Sequence, residues 1–116
     1  MSVSQDVEMA VDPTLDKLLL RAIENKHLLR FRYKGSERIA EPHDYGIDNG
    51  MARLLCWQVG GRSNGRVPGW RLINVGEMQN CEMIERRFSG NRDVPSGKHH
   101  QWERVFIRVE PPDKLG

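Results

Sequence analysis

Ile47-Asp48-Asn49-Gly50-Met51-Ala52-Arg53-Leu54-Leu55-Cys56-Trp57 sets the strongest turn signal of the chain between two extended runs. Asn-Gly suits a two-residue type I′ turn, because both central residues of that turn need positive φ. The stretch therefore predicts a β-hairpin. Its second arm, residues 51–59, is apolar on both faces around Leu54-Leu55-Cys56-Trp57, as expected of a strand in the middle of a sandwich or barrel. Its first arm, residues 38–47, contains Pro42, which removes a ladder donor and predicts a bend or an edge there.

Moving outward, Leu29, Phe31 and Tyr33 alternate with Arg30 and Arg32, which predicts a half-buried strand with a basic outer face. Lys34-Gly35-Ser36 turns that strand back. On the other side, residues 60–69 form a glycine-rich loop and residues 70–75 a strand. Gly76-Glu77 is a tight turn, residues 78–84 are a further strand, and residues 85–100 are a polar loop. Val105, Ile107 and Val109 alternate with Phe106 and Arg108 in a last strand, which Pro111-Pro112 stops.

Ahead of all these strands, Asp12-Pro13 starts a helix, with Asp as N-cap and Pro at the first helical position. Leu15, Leu18, Leu19, Ala22 and Ile23 form one helical stripe that ends near residues 25–27. Four turns are too short to be stable alone, so the stripe must pack on the strands. One helix followed by five or six short antiparallel strands is mainly β. It predicts a small, strongly bent sheet or barrel carrying a helix. Residues 1–11 read as a flexible acidic tail, 12–110 as a single domain, and 111–116 as a C-terminal tail.

With 116 residues, 38% hydrophobic and 29% charged, the chain has the composition of one soluble globular domain. No apolar run approaches the roughly 20 residues that span a bilayer. No signal peptide is visible, so a cytoplasmic location with both cysteines reduced is expected. The net charge of +2 hides an asymmetry: residues 1–16 carry −4, and the remaining 100 carry +6, with 13 of the 18 bases being Arg. Arginine forks fit phosphate, carboxylate and base edges, so the body leans towards anionic partners. The plain alternative is a solvated surface that happens to favour Arg. The acidic tail either competes with an anion for the arginine surface or stands in solvent.

The candidate sites are few. Cys56, Cys81, His43, His99 and His100 lack metal-ligand spacing, so no metal or other cofactor is expected. The cysteines fall in strands, no oxyanion hole is suggested, and the acids are scattered, so no enzyme is expected. The glycine-rich loop with Arg62 and Arg66 matches no phosphate-loop fingerprint, though its arginines can clamp an anion. Aromatics beside arginines recur on successive strands: Phe31-Arg32-Tyr33, then His43 and Tyr45, then Trp57, then Trp70-Arg71. Such a set either stacks bases while the arginines meet phosphate, or fills a core that the arginines coat. The candidate ligand-binding residues are Arg38, His43, Tyr45, Trp57, Trp70 and Arg71. Arg30, Arg32, Arg62 and Arg66 supply accessory charge.

The order of these segments resembles a WYL domain, from about Leu18 to Phe88. Leu29-Arg30-Phe31-Arg32-Tyr33 resembles the family's first strand, and Arg38-Ile39-Ala40-Glu41-Pro42-His43 its R-x-V-x-P segment with one residue more before the proline. Leu54-Leu55-Cys56-Trp57 stands where the naming tripeptide is expected, though Trp-Tyr-Leu itself is absent. Gly69-Trp70-Arg71-Leu72-Ile73-Asn74-Val75 resembles the F-R-L-D-R-I strand. The resemblance implies an Sm-like, SH3-type barrel. It also implies a non-enzymatic regulatory module for a nucleic acid or nucleotide-like anion, similar to short stand-alone bacterial members of the family. Arg38, Trp57 and Arg71 are the residues that match family positions. Single-stranded nucleic acid or a nucleotide is the expected partner. The alternative is a protein-interaction module that uses the last strand to form a homodimer; no membrane partner is expected.

Overall fold

The computed structural model describes residues 11–62, 65–92 and 102–112. Helix α1 spans Pro13–Asn25. The Asp12 carboxylate caps it by accepting from the Leu15 N–H at 3.0 Å, and Lys26 closes it in the left-handed conformation at φ 59°. Leu19, Ala22 and Ile23 are buried, so the predicted stripe is the packed face.

Among the described residues six strands follow: β1 (His27–Tyr33), β2 (Ser36–Asp48), β3 (Met51–Gly61), β4 (Gly69–Asn74), β5 (Gln79–Arg87) and β6 (Arg104–Arg108). All their pairings are antiparallel, and the path runs β4-β3-β2-β1-β5 with β6 added on β2. Asn49 and Gly50 have φ of 56° and 76°, as the type I′ hairpin requires. A single 3-10 turn, Val75–Glu77, joins β4 to β5, the two ends of the path. So short a link holds those ends near each other, and the sheet is strongly curled. The ladders nevertheless do not close it: β4 and β5 are not paired among the described residues, so the expected closed barrel is corrected to a curled open sheet.

Strand β2 organises the molecule. β3 runs along one edge of it, while the other edge is shared, with β1 on Ser36–Ala40 and β6 on Asp44–Ile47. Pro42 therefore lies in a central strand, not at an edge. A bulge between Pro42 and Asp44 absorbs it, leaving His43 without a register partner. Gly46 lets β6 approach, because a Cβ there would collide with the Arg104 carbonyl and lie 2.9 Å from the Val105 Cα. The core of Leu19, Ile23, Leu29, Phe31, Tyr45, Leu54, Ile73 and Val75 fills the inside of the curl beneath α1. Strand β5 runs to Arg87, past the predicted boundary. The rest of the predicted polar loop from residue 93, His99, His100, most of the acidic tail and the last four residues lie outside the described residues.

Candidate functional site

Strand register decides which predicted site residues meet. Paired residues of neighbouring strands share a face, and faces alternate along a strand. On the inner face, Arg38 pairs with Phe31, and Ala40 pairs with Leu29 and Gln58. Pro42 pairs with Cys56, and Cys56 with Arg71. On the outer face, Glu41 pairs with Trp57, and Trp57 with Trp70. The bulge at His43 then shifts the alternation, so Tyr45 and Ile47 turn inward. The six predicted ligand residues thus fall into three places.

The first place is the inner end of the curl, where β3 and β4 leave for the glycine-rich loop. Arg38 is only 7% exposed. Its guanidinium carbon lies 5.2 Å from the centre of the Tyr33 ring, a cation–π contact. Its Nε has no hydrogen-bond partner among the described residues. Burial, and then the neighbouring charge of Arg71, hold it below the usual arginine range. Arg71 donates from Nη1 to the Trp70 carbonyl at 2.8 Å and from Nη2 to the Arg66 carbonyl at 2.7 Å. Gln58, absent from the predicted set, is fully buried beside them. Its Nε2 donates to the Gly60 and Arg62 carbonyls at 2.9 and 3.2 Å, which fixes the amide orientation. Its Oε1 has no partner among the described residues. Gly61, at φ 82°, brings the loop against β2 where a Cβ would sit 2.7 Å from the Arg38 Cα. The Arg62 N–H donates to the Glu37 carbonyl at 2.9 Å. Arg62 and Arg66 thereby stand at the same end as Arg38 and Arg71.

The second place is an outer-face cluster. His43 is 3% exposed. Its ring stacks on Phe88 at 5.6 Å and meets the edge of Trp70 at 4.9 Å. Trp70 meets Trp57 at 5.1 Å. Arg92, on the segment after β5, stacks over Trp57 at 4.8 Å and clamps the buried Glu41 carboxylate with two 2.8 Å bonds. The Arg92 backbone N–H donates to His43 Nε2 at 3.3 Å, so Nδ1 carries the proton that goes to the Glu41 carbonyl at 3.0 Å. Burial holds this imidazole below its usual range and therefore neutral. His43, Trp57 and Trp70 thus come together, but apart from Arg38 and Arg71, with which the sequence grouped them. Their partners Glu41, Phe88 and Arg92 went unread, because Arg92 lies in a stretch with no pattern.

The third place is the core. Tyr45 is completely buried, donates to Asp16 of α1 at 2.6 Å, and packs edge-on against Phe106 at 5.0 Å. It pins the helix to β2, and burial raises its phenol well above the usual range. Of the accessory arginines, Arg30 lies in ion pairs with Glu82 at 2.8 Å and Glu37 at 3.3 Å. Arg32 reaches the Gly35 carbonyl at 3.4 Å.

Burial pushes the Cys56 and Cys81 thiols up to about 12, so both stay protonated at neutral pH. Among the described residues, no group of three or more His, Cys, Asp or Glu side chains is placed to hold a metal ion. Among the described residues, too, no helix is long and apolar enough to cross a membrane. Comparison with protein-family models, with curated proteins and with solved structures finds no match.

Proposed function

We propose that this chain is a non-enzymatic, WYL-like regulatory module that binds a nucleic acid or nucleotide-like anion at the inner end occupied by Arg38 and Arg71. One observation carries the reading. Arg38 on the inner face is buried against an aromatic ring, feels the like charge of Arg71, and has no partner for its Nε among the described residues. Burying a cation is unfavourable unless it is paired, so the arrangement favours an anion at this place. Arg62 and Arg66 on the adjoining loop add charge. The return of β5 beside β1 supports an Sm-like, SH3-type strand order in a curled sheet that is not closed into a barrel.

The test is titration of labelled single-stranded RNA, single-stranded DNA and a nucleoside monophosphate. Two salt concentrations are used, about 50 and about 200 mM, with wild type and Arg38→Met. Neutralising two phosphates predicts an affinity loss of about sevenfold across that salt range. Arg38→Met should weaken binding and flatten the salt dependence while the protein stays folded. Binding of none of the three probes at low salt would overturn the reading, as would an Arg38→Met variant that binds like wild type.

A second reading, dimerisation through β6, rests on the edge of that strand turned away from β2, which has no partner strand among the described residues. Symmetric antiparallel pairing about Phe106 would set Arg104 opposite Arg108 of the second copy. Like charges directly opposite are destabilising, so anion binding is the better supported reading.

A further inference from the structure

Residues 88–92, which follow β5, form a strap without regular secondary structure across the outer face. Its root is tied by backbone bonds that do not titrate. The Phe88 N–H donates to the Lys26 carbonyl at 2.9 Å, and the Asn91 N–H to the Glu110 carbonyl at 3.1 Å. Gly90, between them, lies so close to residues 110–112 that a Cβ there would sit 2.7 Å from the Glu110 oxygen. Among the described residues, the far end of the strap is tied at Arg92. The Arg92 guanidinium holds Glu41 and covers the Trp57 ring, and its backbone N–H donates to His43 Nε2 at 3.3 Å. That last bond needs a neutral ring, because an imidazolium has two N–H donors and no acceptor. Protonation of His43 sets N–H against N–H, brings a like charge to Arg92, and gives the Glu41 carboxylate a second cation to attract.

We propose that His43 is an acid-sensitive latch: protonation of its Nε2 releases the Arg92 end of the strap and uncovers the Trp57 ring while the sheet and its core stay folded. The latch lies on the outer face and does not depend on the anion-binding reading. The charged groups facing the ring are Glu41 and Asp44 of β2, which favour its charging, and Arg92 of the strap, which opposes it. Asp44 is engaged by Arg108 of β6 at 3.4 Å; β4 presents Trp70 to the ring and the strap presents Phe88, neither charged. Burial outweighs the two carboxylates and holds the closed ring below its ordinary range. In the open strap the ring is hydrated and regains a value near about 6.5. The open form therefore takes the proton first. Its share rises by at most about tenfold per pH unit as pH falls from about 6.5 towards the closed-state value. The strap joins no strand ladder among the described residues, so releasing Arg92 breaks no strand pairing and the opening is local.

The test is amide hydrogen exchange of the full chain, read residue by residue by NMR from about pH 7.5 to about pH 5 and corrected for the intrinsic effect of pH. Protection of the Arg92 amide should fall by up to about tenfold per pH unit below about pH 6.5, together with a shift of the Trp57 indole signal, while Leu54 and Ile73 keep their protection. His43→Phe keeps a ring against Phe88 and Trp70 but cannot titrate, so Arg92 protection should become independent of pH. Wild-type Arg92 protection that does not change with pH overturns the latch. A fall that Leu54 and Ile73 share overturns it too, because the whole fold is then being lost. A slope that survives in His43→Phe overturns it by assigning the slope to another group. Should His43→Phe fail to fold, Glu41→Gln serves instead. It loosens the clamp, so Arg92 protection should drop at every pH and keep its slope; a slope lost with the Glu41 carboxylate overturns the latch.

Discussion

The two arginine-bearing sites of this protein lie on opposite faces of the same three strands and are built on opposite principles. On the outer face, Arg92 is matched: two bonds to Glu41, a Trp57 ring beneath it, and its backbone N–H on His43. On the inner face, Arg38 has an aromatic ring and a like-charged neighbour, and no carboxylate among the described residues shifts it. A matched polar group such as the Glu41 carboxylate holds structure, because on losing water it gained a partner in Arg92. An unmatched one stores a deficit that a ligand can relieve. The two faces should therefore answer substitution with opposite signs.

The largest effect is expected on the matched face. Glu41→Ala leaves Arg92 without its carboxylate and should destabilise the fold by about 2–4 kcal/mol in urea unfolding. A loss below about 1 kcal/mol would show that the outer cluster is decoration and would erase the contrast. The next effect is a pH dependence. Burial lowers the His43 pKa from its ordinary value, so the unfolded chain binds the extra proton first. The stability from this group is fully present above about pH 6.5 and is lost as pH falls towards the folded-state value, by at most about 1.4 kcal/mol per pH unit. His43→Phe should flatten the slope of stability between about pH 6.5 and 5.5, whatever it does to the absolute level; an unchanged slope would remove His43 as its source. The smallest effect, and the sharpest contrast, is on the unmatched face. Arg38→Met should leave stability unchanged or raise it by up to about 1 kcal/mol, because it removes a buried cation that repels Arg71. A loss of 2 kcal/mol or more would mean that Arg38 is a structural residue like Arg92.

Much of the fold was legible because its signals are local. Asp12-Pro13 and the Leu15-to-Ile23 stripe give α1 within a residue or two, and Asn49-Gly50 gives the hairpin and its turn type. The alternation of Leu29, Phe31 and Tyr33 gives the inner face of β1. Arg38 and Arg71 were singled out because each sits in a patterned strand beside aromatics, but in one set with His43, Tyr45, Trp57 and Trp70, which the register divides. Gln58 was not legible. A lone Gln in an apolar strand has no distinctive signature, and its meaning depends on a 0% exposure and on two carbonyls that the loop places against it.

By itself, then, the sequence determined the helix, the hairpin, a run of five or six strands and which residues carry charge, since propensity, capping and turn chemistry act over a few neighbouring residues. Only the tertiary structure decided which side chains meet. One extra residue at His43 shifts the alternation of β2 and sends Tyr45 into the core, while plain alternation sets His43, Trp57 and Trp70 on the face opposite Arg38 and Arg71. Arg92 reaches Glu41 across 51 positions of sequence, through packing that no local pattern encodes. Because side chains alternate with a period of two, a single-residue bulge is enough to part Tyr45 from His43, two positions away, and send one to the core and the other to the outer cluster.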